Sequence, residues 1–125
     1  MSSETFFDAY VTCALWSSMD NADESGGEPL DRNYGPDDIA PETLERMRTD
    51  CDDFEQSQAQ PLLVAYETPG YTEASAGHDF WLTRNGHGAG FWERGLGEVG
   101  DALTEAAHAY GSVDLTVGDD GKIYA

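Results

Sequence analysis

Residues 77–92 read GHDFWLTRNGHGAGFW, and this stretch decides the fold that the sequence predicts. Aromatic pairs at positions 80–81 and 91–92 flank the dipeptide Asn85-Gly86. An Asn-Gly pair between apolar segments favours a β-hairpin, because such turns require positive φ angles. We therefore predict two antiparallel strands here, joined by a glycine-rich turn.

The sequence after this stretch predicts one helix and a second hairpin. Apolar residues recur at helical spacing from Leu96 to Tyr110, and Gly111 follows in a position that often ends a helix. Residues 113–124 alternate between apolar and polar side chains around an Asp-Gly turn. The carboxyl half is thus predicted to be β-β-α-β-β.

Two amphipathic helices are predicted in the amino half. Paired apolar residues four apart predict a helix over residues 4–18, and Pro41 suits the first position of a second helix. Residues 62–66 fit a short strand or a further helical turn, and we favour the helical turn. The chain is predicted to be a single α+β domain of residues 1–125, with a small antiparallel sheet and an acidic loop at about 19–38.

Composition narrows the class of protein. Apolar residues make up 39% of the chain and aromatic residues 11%, which argues against an acidic disordered tail. No apolar run approaches the roughly 20 residues that span a bilayer, and the amino terminus lacks a signal-peptide pattern. We expect a cytoplasmic protein without membrane contact, with Cys13 and Cys51 reduced and buried.

Charge is the strongest indicator of function. The 125 residues carry 25 acidic and six basic side chains, a formal net charge of -19. Thirteen of the carboxylates and three arginines lie between Asp20 and Glu55. Such a field repels nucleic acid and membrane surfaces and attracts basic partners.

One group of residues admits a catalytic interpretation. His78, Asp79 and His87 are two histidines and a carboxylate close in sequence, and across a hairpin they could form a small metal-dependent enzyme site. Zinc requires three or four ligands, however, and a further ligand would have to come from the other half of the chain. We favour the interpretation that Asp79 caps a turn and His87 lies on an exposed loop, and we predict no catalytic residue, metal or cofactor.

The stretch 77–92, together with GDDGKIY at 118–124, resembles a family of small acidic proteins encoded by bacteriophages and prophages. The segments ALWSS at 14–18 and LDRNY at 30–34 are also similar to that family, so the resemblance covers most of the chain. It implies a phage or mobile-element setting and transfers no functional residue.

In that setting the leading hypothesis is an acidic DNA mimic that inhibits a nucleic-acid-binding or defence protein in the cytoplasm of a bacterial host. Its carboxylates would replace the phosphates that such a partner binds, and the chain itself would not contact nucleic acid. The predicted partner-binding residues are Asp20, Asp23, Glu24, Glu28, Asp37, Asp38, Glu45, Asp52, Asp53 and Glu55.

An alternative is an accessory or virion-associated protein that binds its partner through the aromatic hairpin. This contact surface would consist of Trp81, Arg84, His87 and Trp92. Aromatic and arginine side chains dominate the energetics of many protein interfaces, which makes the hairpin a plausible contact region.

Overall fold

The computed structural model describes residues 4–20, 28–30, 34–86 and 90–125, and its secondary structure is mostly helical. The α-helices are α1 (Glu4–Ser17), α2 (Pro41–Ser57), α3 (Ala59–Tyr66), α4 (Glu73–Arg84) and α5 (Glu98–His108). Single 3-10 turns precede α2 (Pro36–Asp38) and α5 (Phe91–Glu93). The strands form two short antiparallel pairs, β1 (Met19–Asp20) with β2 (Glu28–Pro29) and β3 (Thr116–Val117) with β4 (Ile123–Tyr124).

The predicted α+β fold with a β-β-α-β-β carboxyl half is wrong, because the described residues of the stretch 77–92, which are 77–86 and 90–92, form no strand. Its first half belongs to α4, and Asn85-Gly86 ends that helix. The Asn85 side-chain amide donates to the Trp81 carbonyl at 2.9 Å, and Gly86 has a φ of 69°. Positive φ angles suit the end of a helix as well as a hairpin turn, so the dipeptide was assigned to the wrong motif.

Several local predictions are confirmed. Both amino-terminal helices form, with Pro41 at the start of α2, and residues 62–66 belong to α3. The second predicted hairpin is present as the short antiparallel pair of β3 and β4. Cys13 and Cys51 are buried free thiols. Half of the predicted acidic loop, residues 21–27 and 31–33, lies outside the described residues.

Helices α1 and α4 lie against each other at the centre of the molecule. A Cβ atom at Gly77 would stand 2.1 Å from the Phe6 carbonyl oxygen, so glycine is needed for this close approach. Phe80, from the same helix, stacks on Phe54 of α2 with ring centroids 4.1 Å apart. Because α4 is buried on most sides, its sequence lacks the single apolar stripe of a surface helix.

The carboxyl-terminal strands hold the start of α2. Ile123 is fully buried and forms a parallel bridge with Ile39, and the Ala40 N–H donates to the Ile123 carbonyl at 2.9 Å. This bridge fixes the direction in which α2 leaves the body. Within the described ranges, none of the helices has the length and apolar character needed to cross a membrane.

Candidate functional site

The structure places six of the ten predicted partner-binding residues with their side chains. Asp23 and Glu24 lie outside the described residues, and for Asp20 and Glu28 only the backbone is described. The other six lie on the segment from the first 3-10 turn to the end of α2, and they are Asp37, Asp38, Glu45, Asp52, Asp53 and Glu55. The described part of the prediction is therefore one continuous stretch of chain.

We use the name acidic ridge for these six carboxylates and the neighbouring Glu42. Glu42, Glu45, Asp52 and Asp53 lie opposite the buried stripe of α2, and Glu55 lies beside that stripe. Helix α2 has 17 residues, which corresponds to a length of about 25 Å. Within this segment Arg46 is exposed, whereas Arg48 pairs with Glu4 of α1 at 3.1 Å.

Hydrogen bonds fix two members of the acidic ridge. The Asp38 carboxylate accepts from the Gly35 N–H at 2.8 Å, and the Asp53 carboxylate accepts from the Tyr110 hydroxyl at 2.5 Å. Burial, together with this bond to Asp53, raises the pKa of Tyr110 to about 12, so the phenol remains a donor at neutral pH. The first bond is local to the 3-10 turn, and the second attaches the carboxyl end of the ridge to the segment that follows α5.

Three of the chain's six basic side chains form ion pairs with carboxylates. Arg48, Arg84 and Arg94 bind Glu4, Asp50 and Asp79 respectively. The pairs leave the net charge of -19 unchanged, so the field of the molecule remains strongly negative.

The alternative contact surface does not form as predicted. Trp81 is 1% exposed, and its indole N–H donates to the Ser17 hydroxyl at 2.7 Å. Arg84 is 5% exposed, Trp92 is 41% exposed, and His87 lies outside the described residues. Two of the four members are core residues, because residues 80–84 are helical and packed on α1. The exposed large apolar residues of the described chain also include Trp16, Leu63 and Val64, which the sequence prediction did not select.

Asp79 lies at the centre of a buried hydrogen-bonded group rather than at a turn, which corrects the prediction that it caps one. Its side chain has no exposed area. The Arg94 guanidinium donates to both carboxylate oxygens, with the shortest contact 2.7 Å from Nη2, and the Tyr71 hydroxyl donates at 2.8 Å. The His78 Nδ1 atom lies 3.7 Å from the nearer oxygen.

The electrostatics of this group favour an ionised Asp79. Burial alone would raise its pKa, but His78 and the hydrogen bonds from Arg94 and Tyr71 outweigh burial and hold the pKa below its ordinary value. Burial and the adjacent carboxylate raise the pKa of Tyr71, which keeps its hydroxyl protonated as a donor. The group is a satisfied, buried ion pair with one face toward a cavity.

That cavity, which we call the cleft, has a volume of about 820 Å³. Its lining comes from α1, from the loop at 68–71, from α4 and from Arg94. The lining residues are Thr5, Asp8, Ala9, Thr12, Thr68, Pro69, Gly70, Tyr71, Ala74, Ser75, His78 and Arg94. Volumes in this range are typical of small-molecule sites.

The predicted metal alternative gains no ligand set in the described chain. Across residues 4–20, 28–30, 34–86 and 90–125, no group of three or more His, Cys, Asp or Glu side chains is placed to hold a metal. His78 and Asp79 do lie together, but the nearest cation to the carboxylate is Arg94. His87 lies outside the described residues.

Arg84 is a buried arginine that links α4 to three other helical segments. Arg84 Nη1 donates to Asp50 at 2.8 Å and to the Tyr10 hydroxyl at 3.1 Å, while Nε donates to the Gly111 carbonyl at 2.9 Å. Its guanidinium also lies 5.5 Å from the centroid of the Phe80 ring. These contacts connect α4 with α1, with α2 and with the end of α5, which is a structural role.

The sequence analysis missed Arg94, Tyr71 and Asp8 as site residues. One available signal was the capping pattern Thr72-x-x-Ser75, in which the Thr72 hydroxyl accepts from the Ser75 N–H at 3.3 Å. A helix that starts there places Asp79 among apolar neighbours. A carboxylate so placed requires a nearby cation, and this would have drawn attention to Arg94.

Comparison of the chain with protein-family models, with curated proteins and with solved structures finds no match.

Proposed function

We propose that this chain is a phage or mobile-element accessory protein that acts by binding in the cytoplasm of a bacterial host. The acidic ridge would occupy the DNA-binding surface of a host nucleic-acid-binding or defence protein. The observation that carries this proposal is the set of seven carboxylates on one segment, residues 36–57, in which Arg48 pairs with Glu4 of α1 and Arg46 is exposed.

The density of charge on the ridge suits this role. Duplex DNA carries one charge per roughly 1.7 Å of axis, so a length of about 25 Å holds about 15 phosphates. A protein that binds one side of the duplex contacts about half of them. Five ridge carboxylates lie on α2 and two more precede it, a number close to that of the phosphates that such a protein meets.

The ridge also has a rigid base. The opposite side of α2 is buried through Met47, Cys51 and Phe54, and Tyr110 holds the Asp53 carboxylate. Charges on a packed helix keep their spacing before the partner arrives, so little ordering entropy is lost on binding. A flexible acidic loop would lose more.

Displacement from immobilised DNA tests the proposal. Bacterial proteins are bound to duplex DNA at low salt, and this protein is then applied as the eluent. We expect a discrete DNA-binding protein to elute. The double variant Glu42→Lys/Glu45→Lys should require about tenfold more protein for the same elution, because charge complementarity at the contact is lost.

The control is Asp101→Lys/Glu105→Lys on α5. It makes the same change in net charge on exposed side chains, and Asp101 lies in the first turn of its helix as Glu42 does. The control should elute the partner as the unaltered protein does. If both variants elute equally well, or if the unaltered protein displaces nothing, the ridge is not a DNA-like surface.

A further inference from the structure

We propose that the cleft binds a small organic cation, a guanidinium or ammonium group on a short aliphatic stem, with Asp8 as its counterion. The site is on the α1 and α4 side of the molecule and includes no residue of the acidic ridge. Besides the phenol of Tyr71, three ionisable side chains line it: Asp8 of α1, His78 of α4 and Arg94, which follows the second 3-10 turn.

The local charge favours a cation over an anion. Arg94 lies 2.7 Å from the buried Asp79 carboxylate, so its charge is already matched. Asp8 carries the carboxylate charge of the described lining, and the net charge of -19 adds to the potential in the same direction. An anion at Arg94 would compete with a carboxylate that has no exposed area and accepts four hydrogen bonds.

The rest of the lining fits the remainder of such a ligand. The hydroxyl oxygens of Thr5, Thr12 and Ser75 are acceptors for N–H donors. Ala9, Pro69 and Ala74 provide apolar surface for a carbon stem. A cleft with apolar walls and a few converging polar groups is the usual form of a small-molecule site.

Trp16 extends this surface at one end. It follows Thr5, Asp8 and Thr12 at spacings of three and four residues, so it continues the same side of α1. The Trp16 side chain is 56% exposed, and its ring centroid lies 6.2 Å from that of His78. An exposed indole ring attracts organic cations through its π-face.

Titration followed by two-dimensional amide NMR tests this proposal. The probes are agmatine as a free organic cation, a capped Gly-Arg-Gly peptide as a protein side chain, and inorganic phosphate as an anion. We expect saturable shifts at Asp8, Ser75 and His78 with at least one of the two cationic probes. Stronger binding of agmatine indicates a free metabolite, and stronger binding of the peptide indicates a partner's arginine.

Matched variants locate the charge that matters. Asp8→Asn should weaken binding of the cation about fivefold, as expected for a single exposed ion pair. Asp8→Glu should retain most of the affinity, and Asp101→Asn, with the same change in net charge on α5, should leave it unchanged. The amide spectrum itself reports whether each variant is folded.

Three results would overturn the inference. The first is that neither cation shifts the cleft amides, and the second is that phosphate binds there more tightly than the cations. The third is that Asp8→Asn and Asp101→Asn weaken binding equally. The last result would mean that the cation responds to net charge alone. None of these results bears on displacement of DNA-binding proteins by α2.

Discussion

The two internal arginine–aspartate pairs have opposite geometries. In the pair of Arg84 and Asp50, the arginine side chain is 3% exposed and the carboxylate 37%. In the pair of Arg94 and Asp79, the carboxylate is fully buried and the arginine side chain is 35% exposed. The first pair presents its acid to solvent and the second presents its base to the cleft.

This difference separates a structural role from a candidate binding role. Arg84 donates to the backbone carbonyls of Tyr110 and Gly111, so it connects α4 to the segment that follows α5. Asp79 holds Arg94 and Tyr71, both of which line the cleft. A buried charge is expensive for stability, and here it shapes the wall of a cavity.

The largest expected effect comes from Arg94→Gln. Loss of the arginine leaves the Asp79 carboxylate buried without a matching charge, so the free energy of unfolding should fall by about 3–5 kcal/mol at pH 7. The loss should be smaller at pH 5, because the isolated carboxyl group then takes up a proton more readily. Urea denaturation at both pH values measures this.

The matched control for Arg94→Gln is the double variant Asp79→Asn/Arg94→Gln. With the charge removed, it should recover part of the stability at pH 7. Suppose instead that Arg94→Gln loses the same stability at pH 5 and pH 7, and that the double variant recovers none. The unmatched charge of buried Asp79 would then not be the cause of the loss, and the contrast between the two pairs would fail.

Arg84→Gln should have an intermediate effect. It removes the donor to the buried Tyr10 hydroxyl and to the part-buried carbonyls of Tyr110 and Gly111, which costs about 1–3 kcal/mol. Asp50 is partly exposed and can be rehydrated, so this loss should be nearly equal at pH 5 and pH 7. If the loss for Arg84→Gln depended on pH as strongly as that for Arg94→Gln, the proposed contrast between the two pairs would fail.

The smallest effect is expected for Asp79→Asn, about 1 kcal/mol at pH 7, because the amide still accepts from Tyr71 and the exposed Arg94 regains water. The folded-state pKa of Asp79 lies below the value of about 3.9 in an unfolded chain. Ionised Asp79 therefore stabilises the fold above about pH 4, and this contribution is lost as the pH falls through the folded-state pKa. Thermal denaturation from pH 7 to pH 3 should show the two proteins converging; a constant difference would contradict the depressed pKa.

Surface helices were predictable from sequence, and the central helix was not. In α2, Met47, Cys51 and Phe54 form one buried stripe, which is the signal that helical periodicity detects. In α4, Ala76, Phe80 and Leu82 are buried together with Asp79 and Arg84, so no polar side alternates with an apolar one. The local pattern therefore favoured a hairpin at Asn85-Gly86, although tertiary packing makes this dipeptide the end of α4.

The candidate sites divide in the same way. The charge of the acidic ridge follows from composition, because exposed carboxylates are read directly from α2. The cleft depends on contacts between distant segments, such as Asp79 with Arg94 and the α1 wall with His78. A single sequence does not show which distant residues are in contact. A buried carboxylate, once recognised, does indicate that a cation must lie nearby.

The bridge between Ile39 and Ile123 has a consequence for biosynthesis. The residue that anchors the start of α2 is synthesised about eighty residues after the helix begins. At about 5–20 residues per second, the ribosome takes roughly 4–16 s to reach it. During that interval the most acidic segment of the nascent chain lacks its final anchor, so an early encounter with a basic partner would involve an unsecured α2.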